Sequence, residues 1–169
     1  MIYTVTFNPA IDYVMILNEK LNTNDINRSS DEKLYFGGKG INVSVILNRL
    51  GVKTKALGFV AGFTGNKLEE MLQNEGVETD FVKIQKGFSR INVKIRSDLE
   101  LDVNGKGPEI ELSDVLKLYD KLEQLEKGDF LVLAGSIPST VPSDIYQKIM
   151  ERLEGKGVEV VVDATGDLL

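Results

Sequence analysis

The run Phe130 to Ala134, FLVLA, carries no polar residue on either face of a strand. A strand with one wet face alternates apolar and polar residues, so an unbroken apolar run needs cover on both sides, as in a parallel sheet flanked by helices. The rest of the chain must supply that cover. Ile2 to Phe7 reads as a strand running into the turn Asn8-Pro9-Ala10, Lys55 to Val60 and Phe81 to Ile84 as further strands, and Val158 to Val162 as a last one ending at Asp163.

Helices are expected between them. Val43, Ile46, Leu47 and Leu50 fall at i, i+3, i+4 and i+7, which predicts a helix with that face inward and Gly51 just past its end. Thr64 is the expected N-cap of a second helix with Leu68, Met71 and Leu72 inward and Gly76 closing it. Ser113 is the expected cap of a third, carrying Val115, Leu118, Tyr119, Leu122 and Leu125. Ser143 is that of a fourth, carrying Ile145, Tyr146, Ile149, Met150 and Leu153. The pattern predicts an α/β class.

One stretch breaks the alternation. Ile91, Val93 and Ile95 interleave with Asn92, Lys94 and Arg96, and Leu99 to Val103 alternates again before the turn pair Asn104-Gly105. Two consecutive strands with one polar face predict a small antiparallel flap beside the main sheet. Tyr13 to Leu17 is a further strand signal, followed by a loop-like polar stretch from Asn18 to Lys33.

Composition bounds the chemistry. The 169 residues suit one domain. No apolar run approaches a membrane span and no signal peptide opens the chain, so the cytoplasm is the expected location. A net charge of −6 argues against a general nucleic-acid binder. The chain has no cysteine and no histidine, which excludes thiolate and imidazole catalysis and His or Cys metal sites within it. Carboxylates, lysine, arginine and backbone dipoles remain. That inventory suits phosphoryl transfer, where positioning and charge stabilisation dominate, and equally a binding module.

The main candidate for ligand contact is Gly37 to Ser44, GGKGINVS, which follows the strand signal Leu34 to Phe36 and opens a helix. Glycines admit close backbone approach and a helix N-terminus favours anions, so the stretch reads as an anion or sugar-phosphate cradle or as a tight turn. It is not a Walker A loop, because Gly40 follows Lys39, nor a dinucleotide fingerprint, because the third glycine falls on Val43. Asp12, expected just past the first strand, is a candidate for sugar hydroxyls or a turn cap. Asn42, in the first helical turn, is a candidate cap or ligand contact.

In order and spacing, MIYTVTFNPAIDYV, GGKGINVS, ALGFVAGFTG, SRINVKI, VNGKGP, LAGSIPSTVPSDIY and VVVDATGDLL resemble the ribokinase-like (PfkB-type) sugar kinases. The likeness is strongest to the 1-phosphofructokinase branch, with tagatose-6-phosphate kinases nearby. It spans the whole chain, and seven strings together are far more specific than any one. It implies a three-layer α/β/α sandwich with a β lid, formed by strands at about 13–36 and 89–104. It also implies ATP- and Mg2+-dependent phosphorylation of fructose 1-phosphate, and a homodimer through the lid strands.

By the same resemblance Asp12, Gly37, Gly38, Lys39 and Asn42 hold the sugar, Lys39 and Arg90 meet the substrate phosphate, and Asn92 and Ser136 are weaker polar contacts. Asp163 matches an aspartate near the nucleotide phosphates, or caps its strand. The family's catalytic base, an aspartate in a Gly-Ala-Gly-Asp stretch, has no counterpart here, nor has its Asn-x-x-Glu magnesium motif. Both are expected beyond Leu169, and no catalytic or metal residue is assigned. A turn and helix start at Ala164 to Asp167, with only Leu168 and Leu169 after it, is expected to continue into a nucleotide-binding part, so that this stretch alone binds sugar phosphate without turning it over. Ser89 and Leu101 depart from the threonines usual at those positions. The alternatives are a tagatose-6-phosphate kinase, a non-catalytic sugar-phosphate binding module and a plain α/β interaction domain.

Overall fold

The computed structural model describes residues 1–164. Most of the turn expected at 164–167 therefore lies outside the described residues, as do Leu168 and Leu169 and the nucleotide-binding part expected to follow them. The elements are β1 (Ile2–Thr6), β2 (Ala10–Ile16), β3 (Asp31–Gly37), α1 (Lys39–Arg49), β4 (Thr54–Ala61), α2 (Gly62–Asn74), β5 (Glu78–Thr79), β6 (Val82–Ile84), β7 (Arg90–Arg96), β8 (Glu100–Asn104), α3 (Leu112–Leu122), β9 (Phe130–Ala134), α4 (Ile145–Leu153) and β10 (Glu159–Asp163). No described helix is long and apolar enough to cross a membrane.

The larger sheet is parallel and ordered β10-β9-β1-β4-β5, with β6 also on β4. Its strands alternate between two cores. Leu57 and Phe59 turn toward α3 and α4 and pack with Val5, Phe7, Leu133 and Ile149. Ala56 and Val60 turn the other way and pack with Ile41 and Val45 of α1 and Leu68 and Leu72 of α2. Helices thus cover both faces, the three-layer arrangement that FLVLA called for, and each fully buried aliphatic or phenyl side chain contributes roughly 1.5–3 kcal/mol.

Local details correct the sequence reading. Helix α1 buries Gly40, Ile41, Ser44 and Val45, while Ile46 and Leu50 are 58% and 72% exposed. The small residues decide this, because a Cβ on Gly40 would lie 2.8 Å from the Val5 carbonyl oxygen and Ser44 Oγ sits 2.8 Å from Thr4 Oγ1. Thr64 is inside α2, whose N-cap is Ala61, and its hydroxyl donates to the Ser89 carbonyl at 2.7 Å. Ser113 is inside α3, which begins after Glu111, whose N–H donates to Asp114 Oδ2. Asp144 rather than Ser143 precedes α4.

The smaller sheet is ordered β3-β2-β7-β8. The flap pair β7–β8 is antiparallel as expected, but β2 joins it in parallel and β3 closes the other edge. β2 begins at Ala10, which takes Asp12 out of a turn and into a strand. Asp12 stands opposite Asn92, Val14 opposite Lys94, and Lys94 opposite Asp102. With side chains alternating across a strand, one face carries Arg90, Asn92, Lys94, Arg96, Asp12 and Asp102. The other carries Ile11, Tyr13, Leu34, Val93, Leu101 and Val103.

Candidate functional site

From β1 the chain builds β4 and β5 on one side, then returns to place β9 and β10 on the other. The strand order therefore reverses between β1 and β9, and in open α/β sheets the crevice at the carboxyl ends of two such strands is where ligands collect. A cleft of about 310 Å³ opens there, lined by Thr6 and Asn8 after β1, Gly38, Lys39 and Asn42 from the glycine stretch, Arg90 from the smaller sheet, and Ala134, Gly135 and Ser136 after β9. A larger cleft of about 460 Å³ is walled by the 17–30 loop alone and lacks this convergence.

The glycine stretch joins the two sheets and aims α1. Gly38, at φ 133°, occupies a conformation closed to other residues, and a Cβ there would come within 2.7 Å of Thr6 Cγ2. Thr6 Oγ1 in turn accepts the Ile41 N–H at 3.0 Å, so the end of β1 anchors the first turn of α1. The helix N-terminus, with its partial positive charge, is thereby directed at the cleft, with Asn42 exposed beside it. The stretch is both turn and cleft wall.

The polar face of the smaller sheet supplies the rest. Asp12 Oδ1 accepts from Asn92 Nδ2 at 2.8 Å, which fixes the Asn92 amide with its oxygen turned away, and Asp12 Oδ2 lies 3.0 Å from Lys94 Nζ. A Cβ on Gly37 would sit 3.1 Å from Asp12 Oδ1, so glycine there leaves that oxygen room. Among the described residues two buried side-chain polar atoms have no partner: Arg90 Nε and Asn92 Oδ1. Burial pulls the Arg90 guanidinium below its ordinary value, opposed by the charge of Asp12. Buried groups left unpaired cost about 1–3 kcal/mol each, so this part of the smaller sheet carries an unmet hydrogen-bonding demand beside Asp12.

On the opposite wall Lys39 Nζ lies 3.5 Å from Asp163 Oδ2 at the end of β10. Gly135 donates its N–H to the Asp163 carbonyl at 3.1 Å, and its own carbonyl accepts from the buried Tyr146 hydroxyl at 2.9 Å. Burial, then the charge of Asp163, pushes the Tyr146 hydroxyl up to about 12. Among the described residues no group of three or more His, Cys, Asp or Glu could hold a metal ion, so no magnesium site is assigned to them. The catalytic base expected beyond Leu169 falls outside the described residues, and none of the cleft residues is assigned that role.

Of the residues named from sequence, Gly38, Lys39, Asn42, Arg90 and Ser136 line one cleft. Asp12, Asn92 and Gly37 form a cluster on the smaller sheet beside Arg90, and Asp163 joins through Lys39. The sequence does not mark Thr6, Asn8 or Lys94 as site residues. Asn8 belongs to the Asn-Pro turn and binds the Lys106 carbonyl through Nδ2 at 2.9 Å, which ties β1 to the chain leaving β8. For Lys94 the sequence signal is its place with Asn92 and Arg96 in the alternation against Ile91, Val93 and Ile95.

A family model for pfkB family carbohydrate kinases matches residues 5–168. The chain is 46% identical over its full length to the 1-phosphofructokinase of Bacillus subtilis and 39% identical to the D-tagatose-1-phosphate kinase of Bacillus licheniformis. It spans 55% of the length of each of these relatives. Among solved structures, a Staphylococcus aureus protein provisionally assigned as a phosphofructokinase superposes with a TM-score of 0.93 at 39% identity, over 99% of this chain and 54% of that one.

Proposed function

Because this chain belongs to the pfkB family of carbohydrate kinases, we propose that it forms the sugar-phosphate side of a kinase that transfers phosphate from ATP to a ketose phosphate, fructose 1-phosphate foremost. The observation that carries this reading is the convergence of Lys39, Asn42 and Arg90 on the switch-point cleft, with Asp12 and Asn92 hydrogen-bonded to each other on the face of the smaller sheet that carries Arg90. Arg90 offers a planar fork to the substrate phosphate and Lys39 a point charge. The free lone pairs of Asp12 accept two sugar hydroxyls, and Asn92 Oδ1 accepts a third.

In this reading Gly37, Gly38 and Asn42 shape and line the sugar's wall, and Ser136 adds a hydroxyl from the β9 side. Asp163 faces the nucleotide, with Lys39 between donor and acceptor. ATP and its Mg2+ supply the transferable phosphoryl group and its charge neutralisation. The chain's own part is to bind the acceptor, orient it and cover it with the smaller sheet as a lid, inserted into the kinase domain at about 13–36 and 89–104. The apolar face of that lid, where Leu101 and Val103 are 43% and 56% exposed, is covered by a second copy of the chain.

A second substrate, D-tagatose 1-phosphate, is favoured by the 39% identical relative named for it. It differs from fructose 1-phosphate only in the hydroxyl configuration at C4, and both present phosphate at C1. Calorimetric titration of the protein with fructose 1-phosphate, D-tagatose 1-phosphate and unphosphorylated fructose tests the assignment. The phosphorylated ketoses should bind, and Arg90→Met should weaken them by at least about tenfold, as expected for loss of a charge-assisted contact. Equal binding of fructose and fructose 1-phosphate, or indifference to Arg90→Met, would remove Arg90 from a phosphate site. A coupled assay with ATP on the same sugars ranks the two substrates by kcat/KM.

A further inference from the structure

Resting on the assignment of Arg90 to the substrate phosphate, we infer that Lys94 is a positioning residue, the internal counter-ion that holds the Asp12 carboxylate off Arg90 and so keeps the guanidinium available. Asp12 stands opposite Asn92, and Arg90 and Lys94 lie two residues to either side of Asn92 on the same face. The carboxylate therefore has a cation on each side. It contacts only one, with Oδ2 3.0 Å from Lys94 Nζ and Oδ1 held by Asn92.

That choice needs a cause, because a carboxylate free to turn prefers the two-pronged fork of an arginine. The cause lies further along the strand. Arg96 takes Asp102 at 2.6 Å and leaves Lys94 4.0 Å from that acid, so Lys94 is committed to Asp12. Counted from the far end, Arg96 pairs with Asp102 and Lys94 with Asp12. Among the described residues of this face, the cation without an ion-pair partner is then Arg90, at the cleft, with Nε unpartnered. Without Lys94 the Asp12 carboxylate turns to Arg90 and neutralises the phosphate site from inside.

A double-mutant cycle read with inorganic phosphate and fructose 1-phosphate on the intact protein tests this. Lys94→Met should weaken both by about tenfold, the worth of one charge-assisted contact, while Lys94→Arg restores binding. Asp12→Asn should tighten inorganic phosphate, because it removes the competing charge. In the Asp12→Asn background, Lys94→Met should then leave inorganic phosphate unaffected. A lysine that touched phosphate itself would weaken it equally in both backgrounds, and that result overturns the inference, as does a Lys94→Met protein that binds phosphate like the parent. If the parent binds neither ligand, the phosphate site and the role of Lys94 fall together, whereas a binding parent with an indifferent Lys94→Met leaves the site standing.

Discussion

The two sheets treat their polar and apolar side chains in opposite ways. In the larger sheet the buried polar groups are paired within the chain: Thr4 with Ser44, Thr6 with the Ile41 N–H, Thr54 with the Ser44 carbonyl. Apolar side chains of its central strands β1 and β4 are covered by helices on both faces, and only toward the β9–β10 side do Phe130 and Val161 stay about half exposed among the described residues. In the smaller sheet the polar face keeps Arg90 Nε and Asn92 Oδ1 buried and unpaired, and the apolar face leaves Leu101 and Val103 open. The larger sheet meets its polar demands at its centre from within the chain, and the smaller one leaves polar groups unmet on one face and apolar side chains open on the other, which is where the proposed sugar phosphate and second copy would act.

The comparison breaks first, if it breaks, in the larger core. Phe59 is almost fully buried and its ring centroid lies 5.5 Å from that of Phe7 between the sheet and α3/α4. Phe59→Ala should cost about 3–5 kcal/mol of stability, through lost transfer energy and the cavity left behind. The shift in urea midpoint at constant slope measures it. A loss below about 1 kcal/mol, the range of an ordinary surface change, would mean that the larger core is not where stability resides.

Val103 tests the open face of the smaller sheet. Val103→Asp places a charge where a second copy would bury a valine side chain worth roughly 1.5–3 kcal/mol. Light scattering should show the parent as a dimer and the variant as a monomer at micromolar concentration. The folding stability of the isolated chain should stay within about 0.5 kcal/mol, since an exposed position has little to lose. A parent that is monomeric across that range would leave the apolar face without its proposed cover and sharpen the question of why it is apolar.

The same contrast explains what could be read from the residues alone. The larger sheet is legible because FLVLA and its neighbouring strands state most of their burial directly in hydrophobicity, although Phe130 at the start of β9 and Val161 of β10 stay about half exposed. The helix faces are less so, because hydrophobicity counts large side chains and turns Ile46 and Leu50 of α1 inward. The close approach of α1 to β1 rests instead on Gly40 and Ser44, which such a count passes over. Thr64 reads as a cap because local patterns do not reveal a tertiary acceptor such as the Ser89 carbonyl. At the site, GGKGINVS, Asp12 and Arg90 are legible through motif and resemblance. The pairing of Asp12 with Lys94 depends on the register of β2 against β7, joined by a connection that no local signal spans.

The smallest effect is the most direct probe of how the larger sheet serves the smaller one. Tyr146 belongs to the core beneath the larger sheet, its ring 5.7 Å from that of Phe7, yet its hydroxyl donates to the Gly135 carbonyl in the cleft wall. Tyr146→Phe removes that donor, and loss of one neutral hydrogen bond costs about 1 kcal/mol. It also has a signature in pH. The hydroxyl titrates near 12 in the folded protein against 10.0 for an ordinary tyrosine, so above pH 10 the unfolded chain sheds a proton that the folded chain keeps. The stability tied to Tyr146 is therefore whole below pH 10 and lost as pH rises from 10 toward 12. The gap in unfolding free energy between parent and Tyr146→Phe should narrow across that window, while lysines and the other tyrosines titrate alike in both proteins. If Gly135 and Ser136 are held in place by this bond, the variant should also bind fructose 1-phosphate more weakly at neutral pH. Unchanged affinity alongside the stability loss would confine Tyr146 to the core and restore a strict division between the two sheets.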